Sequence, residues 1–258
     1  MTVPETPYNL LIDIGNTFVK WGRYRSTTRG PAADDCLESG HALLAEIPEL
    51  AAVWRRLPAP GATIISNVAG TKARSTMLRV LETWPDAPRP HWLQSQAEQC
   101  GVKNGYRNPA QLGSDRWAAM IGARALVDGK PVLVVVCGTA ATIDFVNAGG
   151  EFTGGVILPG VGLMIRSLHE GTAALPDADG QFADEPRQTV DAIVTGSQHA
   201  LAGAVERLYR MHHARQPELV CLVSGGGAKA LAPRLSIPFR LHENLVLEGL
   251  HCIAQGMR

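Results

Sequence analysis

Two apolar strands, each broken by a glycine and a polar residue, constrain the fold of this chain more than any other feature. The run from Tyr8 to Ile14 enters the turn Gly15-Asn16 and leaves as a second strand from Thr17 to Tyr24. The run from Pro131 to Cys137, with Val132-Leu133-Val134-Val135-Val136 at its centre, enters Gly138-Thr139 and leaves from Ala141 to Val146. Each pattern predicts a β-hairpin. The two turns lie 123 residues apart in a chain of 258. That spacing suggests two related halves, each opened by the same hairpin, with a boundary between residues 110 and 130.

The rest of the chain alternates between strand and helix, which places it in the α/β class. Ala62 to Ser66 reads as a short buried strand, and Thr71 to Trp84 has helical spacing through Met77, Leu78 and Leu81. Ser114 to Val127 reads as a helix capped by Ser114, with Trp117, Ile121 and Ala125 on one face. Thr189 to His212 is a long helix, Leu219 to Val223 a strand, and Asn244 to Ala254 a closing helix. Pro176 to Pro186 reads as a surface loop.

Composition narrows the function classes. The chain is 45% hydrophobic and 19% charged, with a formal net charge of zero. A nucleic-acid binder usually carries a basic excess, so none is expected. No apolar run approaches the roughly 20 residues needed to cross a bilayer. Five cysteines at wide spacings, with no C-x-x-C pair, indicate neither a zinc site nor a disulfide framework. Reduced thiols and no visible signal peptide fit a cytoplasmic protein.

Three glycine segments can approach a ligand. Asp13-Ile14-Gly15-Asn16-Thr17-Phe18-Val19-Lys20 lets backbone amides meet phosphate oxygens, with Asp13 to hold magnesium and Lys20 to neutralise charge. The same segment also serves as an ordinary hairpin turn. Gly138-Thr139 repeats the geometry and adds a hydroxyl. Gly225-Gly226-Gly227 follows a strand and either admits a flat group such as adenine or makes a tight strand-to-helix turn. No G-x-x-x-x-G-K-[ST] or G-x-G-x-x-G fingerprint is present. Gly113-Ser114-Asp115-Arg116 opens a helix. There Asp115 is either a structural acid on the helix dipole or a base beside an anion clamp.

In combination these segments resemble the type III pantothenate kinase family, part of the acetate and sugar kinase, heat-shock ATPase and actin (ASKHA) superfamily. The matching residues are Asp13-x-Gly15-Asn16-Thr17, Gly113-x-Asp115-Arg116, Gly138-Thr139-Ala140-x-Thr142 and the late Gly225-Gly226-Gly227, in order over nearly the full length. The run from Asn104 to Arg116 also resembles the Bvg accessory factor subgroup. The resemblance implies two ribonuclease H-like halves, residues 1–115 and 116–258. It implies transfer of phosphate from ATP to pantothenate, the first step of coenzyme A synthesis. Asp13 to Lys20 and Thr139 would meet ATP and its magnesium, and Gly225 to Gly227 its adenosine. Tyr106, Gly113, Ser114, Asp115 and Arg116 would meet pantothenate, with Asp115 as base. Thr189 would reach the substrate of a partner in a homodimer.

One position departs from the family pattern. Two residues before the glycine of the second turn the family carries an aspartate that ligates a monovalent cation such as K+ or NH4+; here that residue is Val136. Two other functions stay open on the sequence: a kinase of the same superfamily with a different acceptor, and an ATP-binding regulator that phosphorylates nothing.

Overall fold

The computed structural model describes residues 7–26, 35–173, 175–176 and 179–257. They form two compact units: Met1–Asp128 with Leu245–Arg258, and Gly129–Asn244. A cut after residue 115 would divide helix α3 (Ser114–Leu126) from its surroundings. That helix packs along the last helix, α7 (Leu245–Gly256), and α7 also packs on the first strand. The closing helix therefore returns to the first unit instead of ending the second.

In the first unit the strands are β1 (Tyr8–Ile14), β2 (Phe18–Arg25), β3 (Cys36–Leu43), β4 (Ala62–Asn67) and β5 (His91–Trp92), ordered β3-β2-β1-β4-β5. Strand β2 is antiparallel to β1, while β4 is parallel to it. In the second unit β8 (Val132–Cys137), β9 (Ala140–Val146), β10 (Glu151–Pro159), β11 (Val220–Ser224) and β12 (Arg240–Leu241) take the order β10-β9-β8-β11-β12. Again the second strand of the hairpin is antiparallel and the late strand parallel. The two units share one topology, and the expectation of two similar α/β halves is met.

Alternation along the strands explains which face each unit buries. In the first unit Leu10, Ile12, Ile14, Val19, Trp21 and Ile65 point into a core closed by Trp54 of α1 (Leu50–Trp54) and Met77 of α2 (Gly70–Leu81). Trp54 stacks on Trp84 with ring centroids 5.8 Å apart and meets the edge of Trp21 at 5.9 Å. The second unit buries Val135, Cys137, Ile143 and Val223 against α5 (Thr189–His213). The opposite face of β1 carries Asn9, Leu11 and Asp13, and there α7 covers the sheet. A hairpin of β6 (Glu98–Gln99) and β7 (Val102–Asn104) holds Trp117 in place, because Gln99 Oε1 accepts from Trp117 Nε1 at 2.9 Å. Two short helices of the second unit, α4 (Val161–Gly171) and α6 (Ala228–Leu231), complete the set.

One local expectation is corrected. Ser114 is not the cap of α3. Gly113 occupies that position without a side-chain cap, and Ser114 is the first helical residue.

Candidate active site

The first unit gathers a row of polar groups across the ends of β2, β1 and β4. Register places Lys20 opposite Asp13 on one side and Ser66 opposite Asp13 on the other. Ser66 is fully buried, and its Oγ lies 3.0 Å from Ser114 Oγ at the start of α3. The residue beyond Ser114 is Asp115. One hydroxyl pair therefore joins β4, the strand paired alongside the first acid, to the helix carrying the second.

Asp13 is partly exposed as a residue, but its Oδ1 is enclosed and has no hydrogen-bond partner. Burial pushes its pKa from 3.8 to about 7; the charge of Asp115 adds to the rise, while Lys20 and a hydrogen bond from Ser66 oppose it. A lone enclosed carboxylate oxygen is costly unless a cation or proton meets it.

Asp115 sits in the first turn of α3 and accepts from the backbone N–H of Arg116 at 2.8 Å. Its pKa is also raised, chiefly by burial, against that hydrogen bond and the Arg116 charge. A helix N-terminus favours a carboxylate by about 0.3–1 kcal/mol, less than one pKa unit, so burial outweighs the dipole. Gly113 provides the room: a Cβ there would lie 2.6 Å from Asp115 Oδ1.

Arg116 is buried, and its Nη1 donates to Tyr106 Oη at 2.9 Å. Its guanidinium carbon lies 5.7 Å from the Tyr106 ring centroid. Two asparagines shape the loop that delivers Tyr106. Asn104 Oδ1 accepts from Tyr106 N at 3.0 Å, and Asn108 Oδ1 accepts from Ala110 N at 3.2 Å. Ser95 Oγ donates to Leu112 O at 2.8 Å and ties the loop end beside Gly113.

The first glycine turn closes on itself, with Gly15 N donating to Phe18 O at 3.0 Å. Ile14 and Val19 are core residues, so they face no ligand with their side chains, whereas Asn16, Thr17 and Phe18 are exposed. The second turn is one residue tighter, with Gly138 N donating to Ala140 O at 3.1 Å, and it leaves Thr139 exposed. Val136 holds the place on β8 that Asp13 holds on β1, opposite Ser224 on β11. Gly225 has φ +94° and lies against the Cys137 backbone, with Gly227 N donating to Cys137 O at 3.0 Å. A side chain at 225 would collide with that backbone, whereas Gly226 has open space. Thr189 is exposed at the start of α5, on a groove of about 560 Å³ between α4 and α5 lined also by Met164, Leu168 and Ile193.

The first unit thus brings together Asp13, Lys20, Ser114, Asp115, Arg116 and Tyr106. The second holds Thr139 and Gly225–Gly227 in the turns that follow the neighbouring strands β8 and β11. A family model described as type III pantothenate kinase matches residues 9–211. The chain belongs to the type III pantothenate kinase family.

Relatives carrying the same family name include one from Dechloromonas aromatica (strain RCB), 46% identical, covering 94% of this chain and 97% of that protein. Another from Aromatoleum aromaticum is 45% identical, with 95% and 97% covered. Solved structures show the fold at greater distance. A putative Baf family transcriptional activator from Campylobacter jejuni is 18% identical with TM-score 0.57, covering 96% of this chain and 98% of its own. A putative 2-dehydro-3-deoxygalactonokinase from Sinorhizobium meliloti is 15% identical with TM-score 0.56, covering 97% and 99%. The fold is that of the actin-like ATPases and sugar kinases.

Within the type III pantothenate kinase frame, one residue escaped sequence reasoning. Ser66 reads only as the end of a short strand, and its place beside Asp13 follows from the β1–β4 register, which no local pattern reveals.

Proposed function

We propose that this chain transfers the γ-phosphate of ATP to the primary hydroxyl of pantothenate, giving 4′-phosphopantothenate and ADP. The observation that carries this reading is the paired acids. Asp13 has an unsatisfied enclosed oxygen, and the charge of Asp115 raises its cost of ionisation, while Asp115 opens the helix that carries the buried Arg116, bonded to Tyr106.

The residues fit a magnesium nucleotide. Among the described residues no cluster of three His, Cys, Asp or Glu forms a protein cage for a metal. Magnesium with ATP needs only one or two carboxylates, the rest coming from phosphate and water. Asp13 supplies one, with its Oδ1 lacking any other partner. When bound, the ion would neutralise charge on the phosphates.

Asp115 acts as the base. A primary alcohol is too weak an acid to be deprotonated beforehand, so Asp115 takes the proton as the new P–O bond forms and the bond to ADP breaks. Burial raises its basicity toward working pH, which suits that task. Arg116 presents a planar fork to the pantothenate carboxylate, held in place by Tyr106. Much of the rate would come from this positioning. Thr139 donates its hydroxyl to a phosphate oxygen, the residues after Gly15 contribute to the other phosphate turn, and the open backbone at Gly226 receives adenine.

Val136 offers no oxygen, so its side chain holds no monovalent cation, and we expect turnover to change less than about threefold when sodium replaces potassium or ammonium. A tenfold dependence would overturn that part. The exposed Thr189 and its apolar groove suit a homodimer in which α5 meets a second copy. A monomer mass in sedimentation at micromolar concentration would contradict it. Five free cysteines fit a cytoplasmic location, and among the described residues no helix is long and apolar enough to cross a membrane.

Incubation with ATP, magnesium and pantothenate tests the assignment. The expected product is pantothenate heavier by one phosphate, and unchanged pantothenate overturns the reading.

A further inference from the structure

The hydroxyl pair Ser66–Ser114 lies in the site, yet the assignment above gives Ser66 no role. It is fully buried, and it stands opposite Asp13 in the parallel register of β1 and β4. Its Oγ is 3.0 Å from Ser114 Oγ. A buried hydroxyl with two polar neighbours has one proton to give, so the direction of the chain matters.

An ionised carboxylate only accepts. Register sets Ser66 beside Asp13, where its hydroxyl can donate to the ionised carboxylate. Either hydroxyl of the serine pair can be the donor. With Asp13 ionised, the arrangement that satisfies all three groups runs from Ser114 to Ser66 to Asp13. Ser114 begins α3 and is followed by Asp115, so this chain couples the place of the first acid to the place of the second.

The second unit supplies an internal comparison. There Ser224 holds the position of Ser66, opposite Val136 instead of an acid. Its Oγ donates to the Glu243 carbonyl at 3.4 Å. Where the acid is absent, this serine hydroxyl reaches a backbone carbonyl.

We propose that Ser66 is a positioning residue for phosphoryl transfer, its buried hydroxyl set between Asp13, which it faces across the β1–β4 register, and the Ser114–Asp115 helix start, to which it is hydrogen-bonded. This rests on the kinase reading above. Ser66 touches no substrate. It acts through Asp13 on one side and Ser114 on the other, and losing it leaves both groups without that partner.

The test uses the full chain with Ser66→Ala, Ser66→Thr, Ser114→Ala and the double variant Ser66→Ala/Ser114→Ala. Steady-state rates are measured against magnesium concentration, and binding of manganese with ATP is followed by calorimetry without pantothenate. Ser66→Ala is expected to lower kcat by about 10–100-fold, since small misplacements of reacting groups cost that much. It is also expected to raise several-fold both the magnesium concentration for half-maximal rate and the Kd for manganese–ATP. Ser66→Thr keeps the hydroxyl and is expected to recover most of each loss. The double variant should be little worse than Ser66→Ala, because both substitutions break one chain.

A Ser66→Ala protein with kcat, magnesium midpoint and manganese–ATP Kd all within twofold of wild type overturns the proposal, even if it melts earlier. Additive losses in the double variant overturn it too. A wild-type protein that leaves pantothenate unmodified overturns the kinase reading instead, so the two failures are distinguishable.

Discussion

Gly113 and Asp115 are related by a space. A Cβ on Gly113 would sit 2.6 Å from Asp115 Oδ1, closer than real Cβ contacts come. The backbone at Gly113, φ −56° and ψ 136°, is open to any residue. The glycine is therefore kept for the carboxylate and not for the chain.

Gly113→Ala should fold with a melting temperature close to wild type, because no backbone strain is introduced. Asp115 must move aside, and kcat should fall at least about tenfold. Circular dichroism melting with steady-state kinetics checks it. Unchanged kcat would show that Asp115 tolerates displacement.

Asp13 makes stability and function oppose each other. Its carboxyl is raised from 3.8 to about 7 in the folded chain. Between those values the unfolded chain has lost the proton while the folded chain still holds it. The contribution of this group to stability thus falls as pH rises from about 4 to 7 and stays low above. Asp13→Asn removes that penalty and should melt roughly 2–8 °C higher than wild type at pH 8, from about 1–3 kcal/mol. The same variant should lose nearly all activity and gain no thermal stabilisation from magnesium–ATP. An earlier melt at pH 8 would contradict the burial of an unsatisfied acid.

Arg116 and Tyr106 should separate binding from chemistry. Arg116→Lys removes the planar fork, and loss of a charge-assisted pair of about 1.5–3 kcal/mol corresponds to a 10–100-fold rise in KM for pantothenate. Tyr106→Phe deletes the 2.9 Å hydrogen bond that holds the guanidinium. It should raise that KM only several-fold, in line with about 1 kcal/mol. In both variants KM for ATP should stay within about twofold. A change confined to kcat would move Arg116 out of the acceptor site.

Much of the framework could be read from local pattern. The hairpins at Gly15 and Gly138 and the apolar run from Val132 to Val136 carried their own signals, because buried strands and glycine turns are encoded in adjacent residues. Strand β3 did not. It pairs with β2 at the sheet edge, and Glu38, Ser39 and His41 give it little apolar alternation. Helix α4 was missed although Val161, Met164, Ile165 and Leu168 have helical spacing, since none of its residues is fully buried.

The site shows the same division. Asp13, Asp115 and Arg116 stand in recognisable motifs, but Ser66 joins them only through strand register. Ser114 was expected to cap its helix, and its hydroxyl points instead to Ser66, 48 residues away in the chain. The role of Gly113 depends on a side chain two positions later folding back, which only the helix start reveals.

The most direct measurement is ADP release by the wild-type chain and by Asp115→Asn, with and without pantothenate. Wild type should release ADP at a rate that rises and saturates with pantothenate. The variant should keep its fold and lose about 10²–10⁴-fold in kcat, the range of a general base. ATP turnover indifferent to pantothenate, or an Asp115→Asn rate within threefold of wild type, would contradict the assignment of this chain as a pantothenate kinase with Asp115 as its base.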